Sequence, residues 1–294
     1  MAEVLLETRG LSKHYRSTAA NDAISIKIER GEIVGFIGQN GSGKTTLIRL
    51  LTGLAKPTSG TFSMSDSEGR TRIGAVVEAP GLFKWMTGSE NLRYQALMCG
   101  REKADINEML TQVGLDPGDR KKVKNYSLGM RQRLAIAVAL ISDPDFLILD
   151  EPTNGLDPQG IVDLRVFLRK LAAERGVTLL ISSHILSELS QLATRFLIID
   201  RGRIVESLTR EELQAKETRH ISFACAADPS AALERLAAAG CIAGHTYENG
   251  LYVLRGPSDY PKILRELSEL PVTWLGAGEE TLESYFVKLV GGAE

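Results

Sequence analysis

The stretch from Glu32 to Thr46, EIVGFIGQNGSGKTT, decides the fold of this chain. Ile33 to Ile37 is a short apolar run that ends at glycine, and Gly38 to Thr45 fits GxxxxGK[ST] directly after it. A strand must therefore turn sharply into a helix that opens at Lys44. Gly38, Gly41 and Gly43 let backbone amides face inward where side chains would clash, Asn40 and Ser42 complete the loop, and the helix N-terminus adds positive potential. Such a cradle suits phosphate. Lys44 is expected to reach β and γ phosphates, Thr45 to offer its hydroxyl to Mg²⁺, and Thr46 to donate to the α phosphate. The competing reading, a glycine-rich loop before an ordinary helix, leaves the register of strand, loop, lysine and helix unexplained.

Outward from this stretch the chain keeps the same texture. VLLET and AISIKIE precede it as expected strands, and IGAVVE, FLILD, TLLIS and FLIID follow as brief apolar runs separated by helical stretches. Runs of that kind are strands of a largely parallel sheet covered on both faces, so the fold class is α/β. Ile161, Leu164, Leu168 and Leu171 recur at helical spacing and predict a helix that covers the sheet. From about Thr87 to Ser142 the pattern is helical, and Thr87 and Glu90 stand at capping-box spacing, which predicts an inserted helical lobe over about 87–142.

After about Lys216 the order becomes HISFAC, a helix from Pro229 to Ala239, CIAGHTY, an Asn249-Gly250 turn, LYVL, a helix near Ile263 to Leu270, and VTWL. That is β-α-β-β-α-β, a small α+β ferredoxin-like domain over 217–294 behind a nucleotide-binding domain over 1–216. A closing helix from about Glu280 to Val290 is expected to stop at Gly291 and Gly292.

Composition narrows the partners. Across 294 residues, 43% hydrophobic and 24% charged content is that of a globular protein, and a formal charge of −2 gives no electrostatic reason to expect nucleic acid. Cys99, Cys225 and Cys241 show no CxxC spacing, which fits a reducing compartment and neither a disulfide framework nor a zinc site. Leu134 to Ile141, the most continuous apolar run, is far short of the roughly 18 residues of a spanning helix. MAEVLLETRG has no signal-peptide pattern, so a cytoplasmic chain without a transmembrane segment of its own is expected.

FLILDEP brings Asp150 and Glu151 to a strand end, where ligands of open α/β sheets bind. Adjacent side chains on a strand point oppositely, so Asp150 is expected in the metal shell and Glu151 at the attacking water as general base. Taken alone, such a pair is an ordinary solvated strand end, and it gains weight only from the phosphate loop upstream.

NYSLGMRQRLAIA, FLILDEPTNGLDP and ISSH, in that order after GQNGSGKTT, resemble the ABC transporter ATPases over most of Leu5 to Leu213. The resemblance implies a P-loop core with a mixed sheet, an antiparallel β subdomain and the helical lobe. It also implies a dimer in which the phosphate loop of one copy is closed by the signature segment of a second, with ATP and Mg²⁺ between them. Ser127-Leu128-Gly129-Met130-Arg131 stands where the commoner signature is SGGQ; Ser127 and Gly129 keep the hydroxyl and amides that would meet a γ phosphate. By the same resemblance Asp157 belongs to the loop linking the two sites, His184 is the switch histidine at the γ phosphate, and Tyr15 is the aromatic against adenine. Read by themselves, His184 is a structural histidine and Tyr15 a packed strand-end tyrosine.

Glu78, in VVEAPGLFKW, stands where most relatives carry a glutamine, a feature similar to the ATPases of bacitracin and lantibiotic resistance exporters. A carboxylate there could ligate Mg²⁺ or water directly. Phe83 and Trp85 follow, and either dock a separate membrane permease subunit or pack under the helical lobe. TLESYFVKL resembles the closing segment of the exporter branch. The resemblance thus implies an ATPase at the inner face of the cell membrane that drives export of a peptide antibiotic or other amphiphilic toxin. Two rival readings are a soluble ABC-type ATPase acting on DNA or ribosomes and an importer subunit. The first usually shows a long coiled coil or a second cassette, and the second leaves Glu78 unexplained.

Overall fold

The strand that feeds the phosphate loop is buried along its whole length, as its apolar run requires of a strand covered on both faces. A computed structural model describes residues 3–64, 71–78, 81–216 and 218–291 of the chain. They form two units, Met1–Arg210 and Glu211–Glu294. The division falls six residues before the boundary expected from the sequence.

In the first unit β1 (Val4–Tyr15), β2 (Thr18–Ile24) and β3 (Lys27–Glu29) precede β4 (Ile33–Ile37) and the helix α1 (Lys44–Leu51). AISIKIE, expected as one strand, is broken in two. Its first part pairs with β1 at Leu11 and its second at Leu6 and Glu7. The Thr8 hydroxyl bridges the break, donating to Ile24 O and accepting from Ile26 N, both at 2.9 Å. β5 (Ser59–Met64) completes this antiparallel sheet by pairing with β1. It is mostly exposed and lacks the apolar alternation that marks a strand in sequence.

The second sheet follows with β6 (Ile73–Val76), then α2 (Gly88–Met98), α3 (Ile106–Gln112) and α4 (Leu128–Leu140), β7 (Phe146–Leu149), α5 (Pro158–Arg175), β8 (Thr178–Ser183), α6 (Leu186–Ser190), β9 (Arg195–Asp200) and β10 (Arg203–Thr209). Its order is β10-β9-β4-β8-β7-β6, parallel except for the edge strand β10. One apolar core joins both sheets to α1, with Leu6, Leu11, Phe36, Ile48, Phe146 and Leu180 fully enclosed. Burial of each such side chain favours folding by about 1.5–3 kcal/mol. The α2, α3 and α4 lobe has its own core of Leu92, Leu110, Tyr126, Leu134 and Ala137. The predicted capping box opens α2: Glu90 N donates to Thr87 Oγ1 at 3.1 Å, and Thr87 N donates to Glu90 Oε2 at 2.7 Å.

The second unit begins with α7 (Arg210–Gln214), shared across the division, and runs β11 (Thr218–Cys225), α8 (Ser230–Ala238), β12 (Gly244–Glu248), β13 (Leu251–Arg255), α9 (Tyr260–Ser268), β14 (Val272–Glu280) and α10 (Leu282–Gly291). Its sheet order is β12-β13-β11-β14, with every pair antiparallel. Phe223, Leu236, Leu254 and Ile263 form the core under α8 and α9. Asn249 and Gly250 both take positive φ, 52° and 83°, as the tight turn between β12 and β13 demands. Of the two glycines expected to stop the closing helix, Gly291 is still part of α10, while Gly292 lies outside the described residues, as do Ala79 and Pro80.

Candidate active site

Parallel register brings three strand ends together: Ile37 of β4 stands beside Ser183 of β8, and Leu149 of β7 beside Ile181. The loops that leave these ends carry the phosphate loop, the Asp150-Glu151 pair and His184. The first is shaped by glycine. Gly43 holds φ at 107°, and a Cβ there would sit 2.4 Å from Ala20 O; a Cβ on Gly38 would sit 2.3 Å from Ser42 Oγ. Asn21, fully buried, donates to Gly43 O at 3.1 Å and fixes the turn from below. Nothing in the sequence marked Asn21.

Lys44 is only 5% exposed. A buried ammonium needs several partners, and it donates to Gly38 O at 2.6 Å and Gln39 O at 3.2 Å while standing 3.3 Å from Glu151 Oε1. Thr45 donates to Asp150 Oδ2 at 3.0 Å. On the other side of the same carboxylate, Ser182 Oγ donates to Oδ1 at 2.6 Å and accepts the Glu151 amide at 2.9 Å. Ser182 lies in the ISSH segment, yet only the fold shows that it links both acids.

The two acids do face different partners, but the cause is not strand alternation. β7 ends at Leu149, and Glu151 enters the left-handed region with φ 49°, which turns its side chain away from Asp150's neighbours. The Glu151 carboxylate then accepts from His184 Nδ1 at 2.7 Å and from Asn154 Nδ2 at 3.3 Å, besides its contact with Lys44. Asn40, Gly41, Lys44, Thr45, Thr46, Glu151 and Asn154 line a polar recess of about 250 Å³. A larger cavity of about 590 Å³ in the helical lobe, beside Arg101, Asp143 and Arg175, holds none of the expected site residues.

The remaining expected residues stand elsewhere. Ser127 caps α4 by accepting Met130 N at 3.1 Å, and a Cβ on Gly129 would meet Leu156 at 3.1 Å. Asp157 caps α5 by accepting Gly160 N at 3.0 Å. Among the described residues no hydrogen bond joins Ser127, Gly129 or Asp157 to the phosphate loop. Tyr15 is half exposed at the end of β1, with Lys13 Nζ 5.1 Å from its ring. Among the described residues Glu78 makes no hydrogen bond to Thr45 or Asp150; its carboxylate is held by Arg49 at 2.5 Å. Among the described residues no three His, Cys, Asp or Glu side chains approach closely enough to form a metal-binding group. Of the two aromatic residues, Phe83 packs edge-on against Tyr94 at 4.8 Å, while Trp85 is 67% exposed.

The inward-facing loop, the lysine at its floor and a hydroxyl beside a carboxylate are the hard donors and positive potential that a magnesium-bound triphosphate requires. Fold and site together define a P-loop nucleoside triphosphate hydrolase. The chain belongs to the ABC transporter ATP-binding family and is an ATPase. The family described as ABC transporter matches residues 21–154. The bacitracin transport ATP-binding protein BcrA of Bacillus licheniformis is 40% identical, with 98% of each chain covered. The lantibiotic transport ATP-binding protein SrtF of Streptococcus pyogenes is also 40% identical, over 68% of this chain and 89% of its own. A dimeric bacterial ABC transporter cassette, MJ0796, superposes with TM-score 0.63 at 25% identity, covering 70% of this chain and 99% of that one. No helix among the described residues is long and apolar enough to cross a membrane.

Proposed function

We propose that this chain is the ATP-driven half of an exporter: two copies close on two ATP molecules and pull on separate membrane permease subunits. The observation that supports this most is the split of the expected site. Lys44, Thr45, Asp150, Glu151 and His184 are joined by close polar contacts, whereas Ser127 and Gly129 stand at the Leu156 loop. A γ phosphate seated on the first group meets a signature segment only if a second copy supplies it.

In this reading Tyr15 stacks on adenine, the amides from Gly38 to Thr46 surround the phosphates, and Lys44 exchanges its carbonyl partners for β and γ oxygens. Magnesium, held by Thr45 and Asp150 with Glu78 as a further oxygen donor, would offset charge on those oxygens. Glu151 takes a proton from the attacking water as its oxygen bonds to the γ phosphorus and the bridge to the β phosphate breaks, which leaves ADP and phosphate. His184 donates from Nδ1 and holds the Glu151 carboxylate in place. Asp157 answers across the dimer.

Residues 1–216 act as the nucleotide-binding domain and 217–294 as an accessory domain. Trp85, exposed beside Phe83, suits contact with the permease. The chain then works at the cytoplasmic face of the cell membrane. The roles of BcrA in bacitracin transport and of SrtF in lantibiotic transport favour a peptide antibiotic as cargo.

Glu151→Gln tests the reading: with Mg-ATP it is expected to bind nucleotide, to hydrolyse at least about 10²-fold more slowly, and to persist as a dimer in size-exclusion chromatography. Tagged protein purified from detergent-solubilised membranes is then expected to bring down a polytopic membrane protein. A monomeric, fully active variant would overturn the base assignment and the sandwich together.

A further inference from the structure

Three acidic side chains are expected around the triphosphate, and each is provided for differently. Glu151 has Lys44 and His184. Asp150 has no cation against it among the described residues and rests on the hydroxyls of Thr45 and Ser182. Glu78 has Arg49, whose Nη2 lies 2.5 Å from Oε1. The same guanidinium is held protonated first by Glu78 and, more weakly, by the Tyr15 hydroxyl beside it. Arg49 is thus paired with the residue expected at the metal.

Helix geometry gives the pair its meaning. Thr45 and Arg49 are four apart on α1, so they share a face about 6 Å apart along the axis. Glu78, itself in the left-handed region at φ 56°, is therefore tied to the residue one helical turn along α1 from Thr45, whose hydroxyl meets Asp150. A third carboxylate brought beside Asp150 and Glu151 would be repelled by them unless a cation intervened.

We infer that Arg49 is a positioning residue that competes with magnesium for Glu78, so that the Arg49–Glu78 ion pair must open before the Glu78 carboxylate reaches the metal. This rests on the reading of Thr45, Asp150 and Glu78 as the magnesium shell. Both partners are about half exposed, at 41% and 55%, so the competition is modest and weakened by salt.

The test is thermal melting of the full chain with a non-hydrolysable ATP analogue, adenylyl imidodiphosphate, titrated with Mg²⁺. The midpoint of Mg²⁺-dependent protection is expected to fall about two- to five-fold in Arg49→Gln, and to return to the unmodified value in Arg49→Lys. Glu78→Gln is expected to erase the effect, so that Arg49→Gln adds nothing on that background. High ionic strength is expected to bring Arg49→Gln and the unmodified chain together. Equal shifts with and without Glu78, or no shift in either background while Mg²⁺ still protects, would overturn the inference and leave the ATPase reading standing. Loss of all Mg²⁺ dependence in the unmodified chain would overturn the magnesium shell and the inference with it.

Discussion

Ser182 donates to Asp150 and accepts from the Glu151 amide, so one hydroxyl sets the spacing of the two acids. Ser182→Ala leaves a buried carboxylate oxygen and a buried amide each short of one partner, at a cost of about 1–3 kcal/mol. Because the acids must keep sub-ångström positions, kcat is expected to fall by about ten-fold or more, while KM for ATP changes little, since Lys44 and the loop amides are untouched. Steady-state kinetics at saturating Mg²⁺ checks this, and a parallel fall in affinity would mean that the loop itself had moved. The phosphate-loop residues were legible because their spacing is local. Ser182 and Asn21 were not, because each acts on a segment far off in sequence that only the parallel strands and the turn after β2 bring near.

At the scale of elements, the capping box of α2 is a sequence pattern that became geometry without change. Glu90 is held below its ordinary value of 4.5, first by the Thr87 backbone amide and then by Lys122. A carboxylate whose folded value is depressed stabilises above its unfolded value, and that support is lost as pH falls through the folded value. Thr87→Ala is expected to cost about 1 kcal/mol at pH 7. Glu90→Gln is expected to lower the melting temperature at pH 7 and to match the unmodified chain once pH falls below the carboxylate range, as melting curves across pH would show. A Glu90→Gln deficit that persisted in acid would place its origin in packing. The aromatic segment behaved differently from helix caps. Hydropathy alone left Phe83 and Trp85 with one choice between docking and packing, and the fold divides them, since Asn91 ties the Phe83 backbone against α2.

At the scale of the whole chain, the units Met1–Arg210 and Glu211–Glu294 have separate apolar cores. Phe223, fully buried and stacked on Tyr252 at 5.3 Å, belongs only to the second. Phe223→Ala is expected to cost that unit about 3–5 kcal/mol and to leave nucleotide binding by the first unit unchanged. Calorimetry should show one transition lowered and one, still raised by Mg-nucleotide, in place. A single lowered transition that nucleotide no longer raises would show that the two cores fold as one.

The sequence by itself determined the parts whose physics is local: the glycine loop and its lysine, the buried parallel strands, the cap of α2, the turn at Asn249-Gly250 and the order of strands and helices from β11 to β14. Each depends on residues within a turn or two of one another, where backbone preference and hydropathy period leave few choices. Tertiary structure decided what depends on contact across the chain: that AISIKIE breaks in two along β1, that Glu151 turns away from Asp150 through a left-handed residue, that Ser182 joins the acids, and that Glu78 answers to Arg49 on α1. Such pairings are set by register and packing between segments distant in sequence, and neither composition nor periodicity within a segment encodes which partner it will meet.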